Sequence, residues 1–155
     1  MAVFETIADG VHAVRISMPG GSLPYSLAYL VEDDRGRLTV VDSGSPTDEA
    51  TRGLLGAVEA LGRHPDDVAA IVVTHLHADH AGGAAALRAA TGAAVLMHAR
   101  EAEALEAIER GLPLPDVEGW GVPPERWPEL RGAVSASSEQ ASSLDQRFSK
   151  LTSNT

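Results

Sequence analysis

Polar and apolar residues alternate along the first third of the chain. Over residues 11–18, every second side chain would lie on one face of an extended chain, and this face is more apolar than the other. Its members are His12, Val14, Ile16 and Met18. A period of two is typical of a strand with one buried face. Further runs occupy residues 3–7, 26–32 and 38–42, and the turn residues between the last two indicate an antiparallel sheet.

The apolar spacing becomes helical after residue 45. Ser45 precedes a proline and, three residues on, Asp48, a combination that predicts a helix with Ser45 as its N-cap. The buried face of this helix would carry Leu54, Leu55, Val58 and Leu61, and Gly62 would end it. Residues 69–74 are predicted to form a strand buried on both faces. A helix at 79–91 that Gly92 ends, a second strand at 93–97 and a third helix at 101–110 are predicted to follow. Strands followed by alternating helices and strands are typical of a layered α/β domain.

Composition and charge narrow the functional classes. The chain has 155 residues, a net charge of −10 and no cysteine, so we expect one domain without disulfides or thiol nucleophiles. It has no basic run, which argues against nucleic acid and anionic membranes as partners. No apolar stretch approaches the roughly 20 residues of a membrane span, and the N-terminus lacks a signal sequence. We therefore expect a soluble, cytoplasmic protein.

The last part of the chain differs in composition from the rest. Residues 133–155 contain seven serines, and the only lysine, the only asparagine and both glutamines lie there. We expect residues 1–132 to form the domain and 133–155 to be a serine-rich tail that is disordered or foreign to it. Residues 111–128 hold five of the nine prolines and both tryptophans, which predicts an irregular segment. Trp120 and Trp127 would either pack this segment onto the domain or form a lid over a substrate cleft.

Three of the six histidines and one aspartate lie within six positions directly after the predicted strand 69–74. Imidazole nitrogen and carboxylate oxygen bind zinc at roughly 2.0–2.2 Å. In an extended chain His75 and His77 project to the same side and could hold one ion. Asp79 and His80 lie at the start of the next helix, where they could turn towards a second ion. The alternatives are an N-cap role for Asp79 and ordinary surface or core roles for single histidines.

Gly82 and Gly83 follow this cluster inside the predicted helix 79–91. Each glycine in a helix interior costs about 1 kcal/mol relative to alanine, so a pair there needs a reason. We interpret the pair as a place where the backbone passes close to the metal centre.

The run Thr74-His75-Leu76-His77-Ala78-Asp79-His80 resembles the T-H-x-H-x-D-H signature of the metallo-β-lactamase-fold hydrolases. This superfamily includes β-lactamases, glyoxalase II-type thioesterases, lactonases and nuclease relatives. The run Val40-Val41-Asp42-Ser43-Gly44 is similar to the family's strand-ending Asp-x-Gly element. The resemblance implies a metallo-β-lactamase-like αββα sandwich, of which this chain corresponds to the N-terminal half, a mixed sheet with helices packed on one face.

The resemblance also implies a site with two zinc ions, with iron or manganese as alternatives. His75 and His77 would bind the first ion, and Asp79 and His80 would bind the second. A metal-bound hydroxide would attack an ester, lactone, thioester or β-lactam carbonyl, and Asp79 would also be catalytic by orienting this nucleophile. Asp42 would fix the orientation of a metal ligand, unless it is an ordinary turn residue before Ser-Gly. Nuclease action is disfavoured because the chain is acidic.

The chain departs from the family pattern after His80. The family adds a third histidine, a bridging carboxylate and a late histidine, whereas only His98 follows here, at a position that resembles a non-ligand one. Asp116 and Asp145 have no spacing that supports a bridging role. We therefore expect an interrupted member of the family, either active or a truncated, non-catalytic metal-binding fragment.

Two further expectations follow from this departure. An uncovered half-sheet would favour a homo-oligomer, because exposed apolar surface and strand edges promote association. His12 and His64 lie apart from the cluster, and we predict that both are exposed surface histidines.

Overall fold

The computed structural model of the protein describes residues 4–18, 23–109 and 123–126. The chain divides into two compact units, residues 1–98 and residues 99–155. The predicted tail at 133–155 lies outside the described residues, as do both tryptophans and the two candidate bridging aspartates. The first unit contains the sheet and all four predicted metal ligands.

The first unit is built on one six-stranded sheet whose strands follow one another in chain order. Strands β1 to β4 are antiparallel, and β5 and β6 continue the sheet in parallel with β4. The strands β1 to β6 span Phe4–Ala8, Val11–Ser17, Tyr25–Glu32, Leu38–Val41, Val68–Val73 and Ala94–Met97. The mixed sheet confirms the predicted α/β class.

Two helices of the first unit pack on one face of this sheet. Helix α1 (Asp48–Ala60) contacts β2, helix α3 (Ala84–Thr91) contacts β5 and β6, and the two helices contact each other. The core between them consists of aliphatic side chains that are fully buried, each worth roughly 1.5–3 kcal/mol on burial. It includes Val14, Ile16, Leu30, Val40, Leu54, Val58, Ile71 and Leu87. The packing confirms the predicted buried face of β2, and within the first unit α1 and α3 lie on one face of the sheet, as predicted.

The sheet face opposite α1 and α3 is more exposed. Strand register places Tyr29, Val41, Val72 and Leu96 in one row across this face. Leu96 is 51% exposed and the other three are half-buried. The prediction that β5 is buried on both faces is therefore wrong, because no element of the described ranges packs over its outward side chains. Association of two copies through this face stays a prediction.

Helix α1 begins two residues later than predicted. The N-cap is Thr47, whose hydroxyl accepts a hydrogen bond from the backbone N–H of Ala50 at 3.1 Å. Ser45 lies in a tight turn instead, where its carbonyl accepts from the N–H of Thr47 at 2.7 Å. The predicted end of the helix is confirmed, because Gly62 takes up the left-handed conformation (φ +73°) that follows Leu61.

The capping assignment predicts a difference between two otherwise similar substitutions. Thr47→Ala should lower the free energy of unfolding by about 1 kcal/mol, because it leaves a helix N–H without its side-chain acceptor. Ser45→Ala should change it by less than about 0.5 kcal/mol. Urea unfolding of both variants measures the difference, and a larger loss for Ser45→Ala would restore the original prediction.

The predicted helix 79–91 is divided into two. A four-residue helix, α2 (Ala78–Ala81), carries the end of the histidine cluster, and α3 follows after Gly82 and Gly83. Helix α3 ends at Gly92 in the left-handed conformation, as predicted. In the second unit, α4 spans Ala99–Glu109, and a 3₁₀ turn occupies Pro124–Arg126. Within the described ranges, no helix is long and apolar enough to cross a bilayer.

The prediction that His12 is exposed is wrong, whereas His64 is exposed as predicted. His12 is 6% exposed, because it lies on the face of β2 that packs against the helices. Its Nδ1 lies 2.9 Å from the Thr6 hydroxyl, and its Nε2 lies 3.1 Å from a Glu32 oxygen. The other oxygen of Glu32 accepts from Arg63 at 2.5 Å. His12 is thus the centre of a polar network that joins three strands to the loop after α1.

Glu32 should make part of the stability of this network dependent on pH. Hydrogen bonds from Arg63, and then from His12, lower the pKa of Glu32 below its ordinary value of 4.5. A carboxylate whose pKa is lower in the folded than in the unfolded protein stabilises the fold at pH values above its unfolded-state pKa. This stabilisation is lost as the pH falls through its folded-state pKa. The unfolding free energy of the wild type should therefore exceed that of Glu32→Gln at about pH 5, and this difference should shrink towards about pH 3. Urea titrations at each pH measure it, and a constant difference would contradict the prediction.

Candidate metal centre

The candidate site lies at the carboxyl ends of two neighbouring parallel strands. β4 leads into Asp42, and β5 leads into Thr74 and His75. Because β4 and β5 are parallel, these residues meet at the same edge of the sheet. Helix α2 then brings Asp79 and His80 to this edge.

Asp42 links the two loops. It is 5% exposed, and its φ of +61° is one that aspartate adopts more readily than most side chains. One carboxylate oxygen accepts from the backbone N–H of Thr74 at 2.8 Å and lies 2.9 Å from the Thr74 hydroxyl. The other lies 2.8 Å from Nδ1 of His80. A buried carboxylate therefore positions an imidazole of the predicted cluster.

Two serines that sequence reasoning did not single out hold α2 in place. The N–H and the hydroxyl of Ser43 donate to the carbonyl of His80 at 2.7 and 2.9 Å. The hydroxyl of Ser26 donates to the carbonyl of Asp79 at 3.1 Å. These carbonyls belong to a helix too short to satisfy them internally. Alternate side chains of β3 are buried, and Ser26 occupies one of these buried positions. A polar residue at such a position could have indicated its role.

Gly82 and Gly83 approach protein backbone closely. A Cβ on Gly83 would overlap the carbonyl oxygen of Ser43, and a Cβ on Gly82 would lie 2.5 Å from Cδ of Pro46. The N–H of Gly83 also donates to the carbonyl of Gly44 at 3.0 Å. The interpretation that the pair allows close approach to a metal is therefore corrected: it allows close packing of α2 and α3 against the loop after β4.

The structure brings the four predicted metal ligands together. The ring centroids of His75 and His80 are 4.1 Å apart, and those of His75 and His77 are 4.9 Å apart. Nε2 of His80 lies 3.3 Å from a carboxylate oxygen of Asp79. His77 is exposed, while the other three are half-buried. The cluster is accordingly open to solvent on the His77 side.

The donor set suits a divalent metal such as zinc. Two ligands bound tetrahedrally at 2.0–2.2 Å lie about 3.3–3.6 Å apart, close to the separation of the Asp79 and His80 donor atoms. Because Asp42 faces Nδ1 of His80, it leaves Nε2 for a metal. Burial, and then the nearby His80 and His77, lower the pKa of His75 below its ordinary value of 6.5, which favours the neutral form that binds metal. In the described part of the chain, however, no three such side chains converge in a geometry that would hold an ion.

The chain belongs to the metallo-beta-lactamase superfamily, whose family model matches residues 22–140. It is 47% identical over 73 residues to a hydroxyacylglutathione hydrolase of Albidiferax ferrireducens, a match that covers 47% of this chain and 25% of the relative. It is 38% identical over 74 residues to a probable metallo-hydrolase of Bacillus subtilis, covering 48% of this chain and 22% of that protein. The chain thus matches about a quarter of the length of these curated relatives.

Solved structures agree with this membership. A metallo-β-lactamase of Cronobacter sakazakii with a HARLDQ motif is 27% identical, with a TM-score of 0.54 over 70% of this chain and 38% of the other. A subclass B3 metallo-β-lactamase with an active-site glutamic acid is 32% identical, with a TM-score of 0.53 over 66% of this chain and 35% of the other. The resemblance inferred from the motif at 74–80, and the fold class inferred with it, are confirmed.

Proposed function

We propose that the chain is a zinc-dependent hydrolase that acts on the carbonyl group of a small-molecule ester, lactone, thioester or β-lactam. The observation that carries this proposal is the 3.3 Å separation between an Asp79 carboxylate oxygen and Nε2 of His80, beside the rings of His75 and His77. Relatives named for hydroxyacylglutathione and β-lactams support a carbonyl substrate.

The four clustered side chains would hold the metal in this proposal. His75 and His77 would serve one ion and Asp79 and His80 a second, with iron or manganese as alternatives to zinc. Bound zinc supplies Lewis acidity, which polarises a carbonyl oxygen and lowers the pKa of water. Asp79 would also be catalytic by accepting a hydrogen bond from the attacking water and so orienting it.

The remaining side chains of the site would hold these groups in position. Asp42 fixes the ring of His80, and the serine contacts to the carbonyls of Asp79 and His80 fix the backbone that carries both donors. Pre-organisation of this kind matters because displacement by about 1 Å is enough to weaken a metal or catalytic site. The exposed His77 marks the side from which a substrate would approach.

Zinc-dependent turnover tests the proposal. Metal-free protein should gain activity towards at least one of a thioester, an ester, a lactone and a β-lactam when zinc is added, and should lose it with a chelator. His77→Ala should abolish this activity without unfolding the protein, because the side chain is exposed. His64→Ala removes an exposed histidine outside the cluster and should leave the activity unchanged.

A second candidate is a metal-binding chain without turnover. The observation that favours it is that no three donors converge in the described part of the chain. The two candidates differ in one outcome. Stoichiometric zinc binding without hydrolysis of any of the four carbonyl substrates would favour the second candidate, and hydrolysis that requires His77 would eliminate it.

A further inference from the structure

The Thr74 hydroxyl connects Asp42 to a second histidine of the cluster. Its oxygen lies 2.9 Å from each carboxylate oxygen of Asp42 and 3.0 Å from Nδ1 of His75. The backbone N–H of Thr74 also donates to Asp42, so the residue is held at both its main chain and its side chain. Thr74 directly follows β5, at the point where this strand lies beside the loop that carries Asp42.

The number of available protons decides the direction of these hydrogen bonds. A hydroxyl has one proton, and an ionised carboxylate can only accept. If Thr74 donated to His75, its oxygen would face two carboxylate oxygens at 2.9 Å with no proton between them. Thr74 therefore donates to Asp42, and its lone pairs accept from a proton on Nδ1 of His75.

The same carboxylate determines the tautomer of His80 directly. Nδ1 of His80 lies 2.8 Å from Asp42, and an uncharged imidazole can approach a carboxylate in this way only as a donor. In the uncharged form both rings then carry their proton on Nδ1 and a lone pair on Nε2, and in His80 this lone pair lies 3.3 Å from the Asp79 oxygen that would bind the same ion. This is the opposite of the tautomer that a free neutral histidine side chain favours in water.

We propose that Thr74 is a positioning residue. Its hydroxyl donates to Asp42 and accepts from Nδ1 of His75, and so fixes the Nδ1–H tautomer of His75 that presents Nε2 to a divalent metal. One buried carboxylate would thereby fix the tautomer of two imidazoles, one directly and one through a hydroxyl. Zinc binding by the two Nε2 atoms rests on the proposed function, whereas the tautomer itself is a property of the metal-free protein.

The tautomer can be measured without a metal. Long-range ¹H–¹⁵N correlation spectra of the metal-free protein at about pH 8, above the ordinary histidine pKa of about 6.5, distinguish a proton on Nδ1 from one on Nε2. We expect Nδ1–H for His75 in the wild type and in Thr74→Ser, and predominantly Nε2–H in Thr74→Val. His80 should keep Nδ1–H in all three, which also shows that the Asp42 loop stays folded.

The matched control is Thr39→Val, which removes the hydroxyl of a half-buried threonine on the outward face of β4. It should leave the tautomer of His75 unchanged. Nε2–H for His75 in the wild type would overturn the proposal even if Thr74→Val did not fold. An unchanged Nδ1–H in a folded Thr74→Val would overturn it as well.

A zinc titration of the same proteins separates this inference from the proposed function. Thr74→Val should bind zinc 10–100-fold more weakly than the wild type, as expected for loss of a group that orients a ligand, and Thr74→Ser should bind within about threefold of it. If the wild type shows Nδ1–H for His75 but binds no zinc, the hydrogen-bond relay stands and the proposed function fails. If zinc binds equally well to Thr74→Val, the relay has no role in metal binding and the proposal is overturned.

Discussion

Replacement of Gly83 by alanine should lower the free energy of unfolding by about 2–3 kcal/mol. The new Cβ would overlap the carbonyl oxygen of Ser43, which is backbone and cannot move aside without displacing the loop after β4. The hydrogen bond from the N–H of Gly83 to the carbonyl of Gly44 would be lost or lengthened in the same movement. Urea unfolding followed by circular dichroism measures the effect.

The same substitution at Gly53 is the matched control and should have the opposite sign. Gly53 lies inside α1, and a Cβ there would meet no atom within 4 Å. Alanine should therefore stabilise the protein by about 0.5–1 kcal/mol through its higher helix propensity. Equal effects at the two positions would show that α2 and α3 do not pack against the loop as described.

Replacement of Asp42 by asparagine should weaken zinc binding by 10–100-fold and lower the free energy of unfolding by about 1–3 kcal/mol. Asparagine keeps the shape of the side chain and tolerates the left-handed backbone at this position. Its amide, however, offers one acceptor oxygen where the carboxylate offers two, so it cannot accept from both Thr74 and His80 in the observed arrangement. Competition with a chromophoric chelator measures the zinc affinity.

Asp66→Asn is the control for this prediction. It removes one negative charge from a side chain that is 81% exposed, so it tests whether net charge alone changes zinc affinity. We expect its affinity to match that of the wild type within about twofold. An Asp42→Asn protein with wild-type affinity would mean that this carboxylate does not orient a metal ligand.

Local patterns in the sequence were sufficient to predict most of the fold. The alternation at 11–18 placed Val14 and Ile16 on the buried face of β2, and Gly62 and Gly92 predicted two helix ends. These features depend on neighbours within a few residues, which the sequence displays directly. The prediction that His12 is exposed is wrong because His12 shares the buried face of Val14, where Thr6 and Glu32 lie within hydrogen-bond distance of its two ring nitrogens.

The errors at the helix starts have a different cause. Whether Ser45 or Thr47 caps α1 depends on the turn that connects it to β4, and this turn is fixed by packing between distant segments. The division of the helix at Gly82 and Gly83 likewise depends on Ser43 and Pro46, about forty residues earlier in the chain. Helix propensity and spacing contain no information about such contacts.

In the candidate site, too, features that depend on sequence neighbours could be predicted, and features that depend on distant segments could not. His75, His77, Asp79 and His80 could be predicted because they are close in sequence. The hydrogen bonds that Asp42 makes to Thr74 and His80 could not, because they require β4 and β5 to be parallel neighbours. The family resemblance supplied the supporting role of Asp42, and its particular partners came from the structure.

The most direct test of the central claim is an equilibrium zinc titration of the metal-free wild-type protein. We predict saturable binding of at least one zinc ion per chain. The free energy of unfolding should rise with zinc concentration, by about 2.7 kcal/mol at 100 times the Kd, and the melting temperature should rise with it. Folded protein that takes up no stoichiometric zinc and gains no thermal stability from it would contradict the assignment of residues 75–80 as a metal centre.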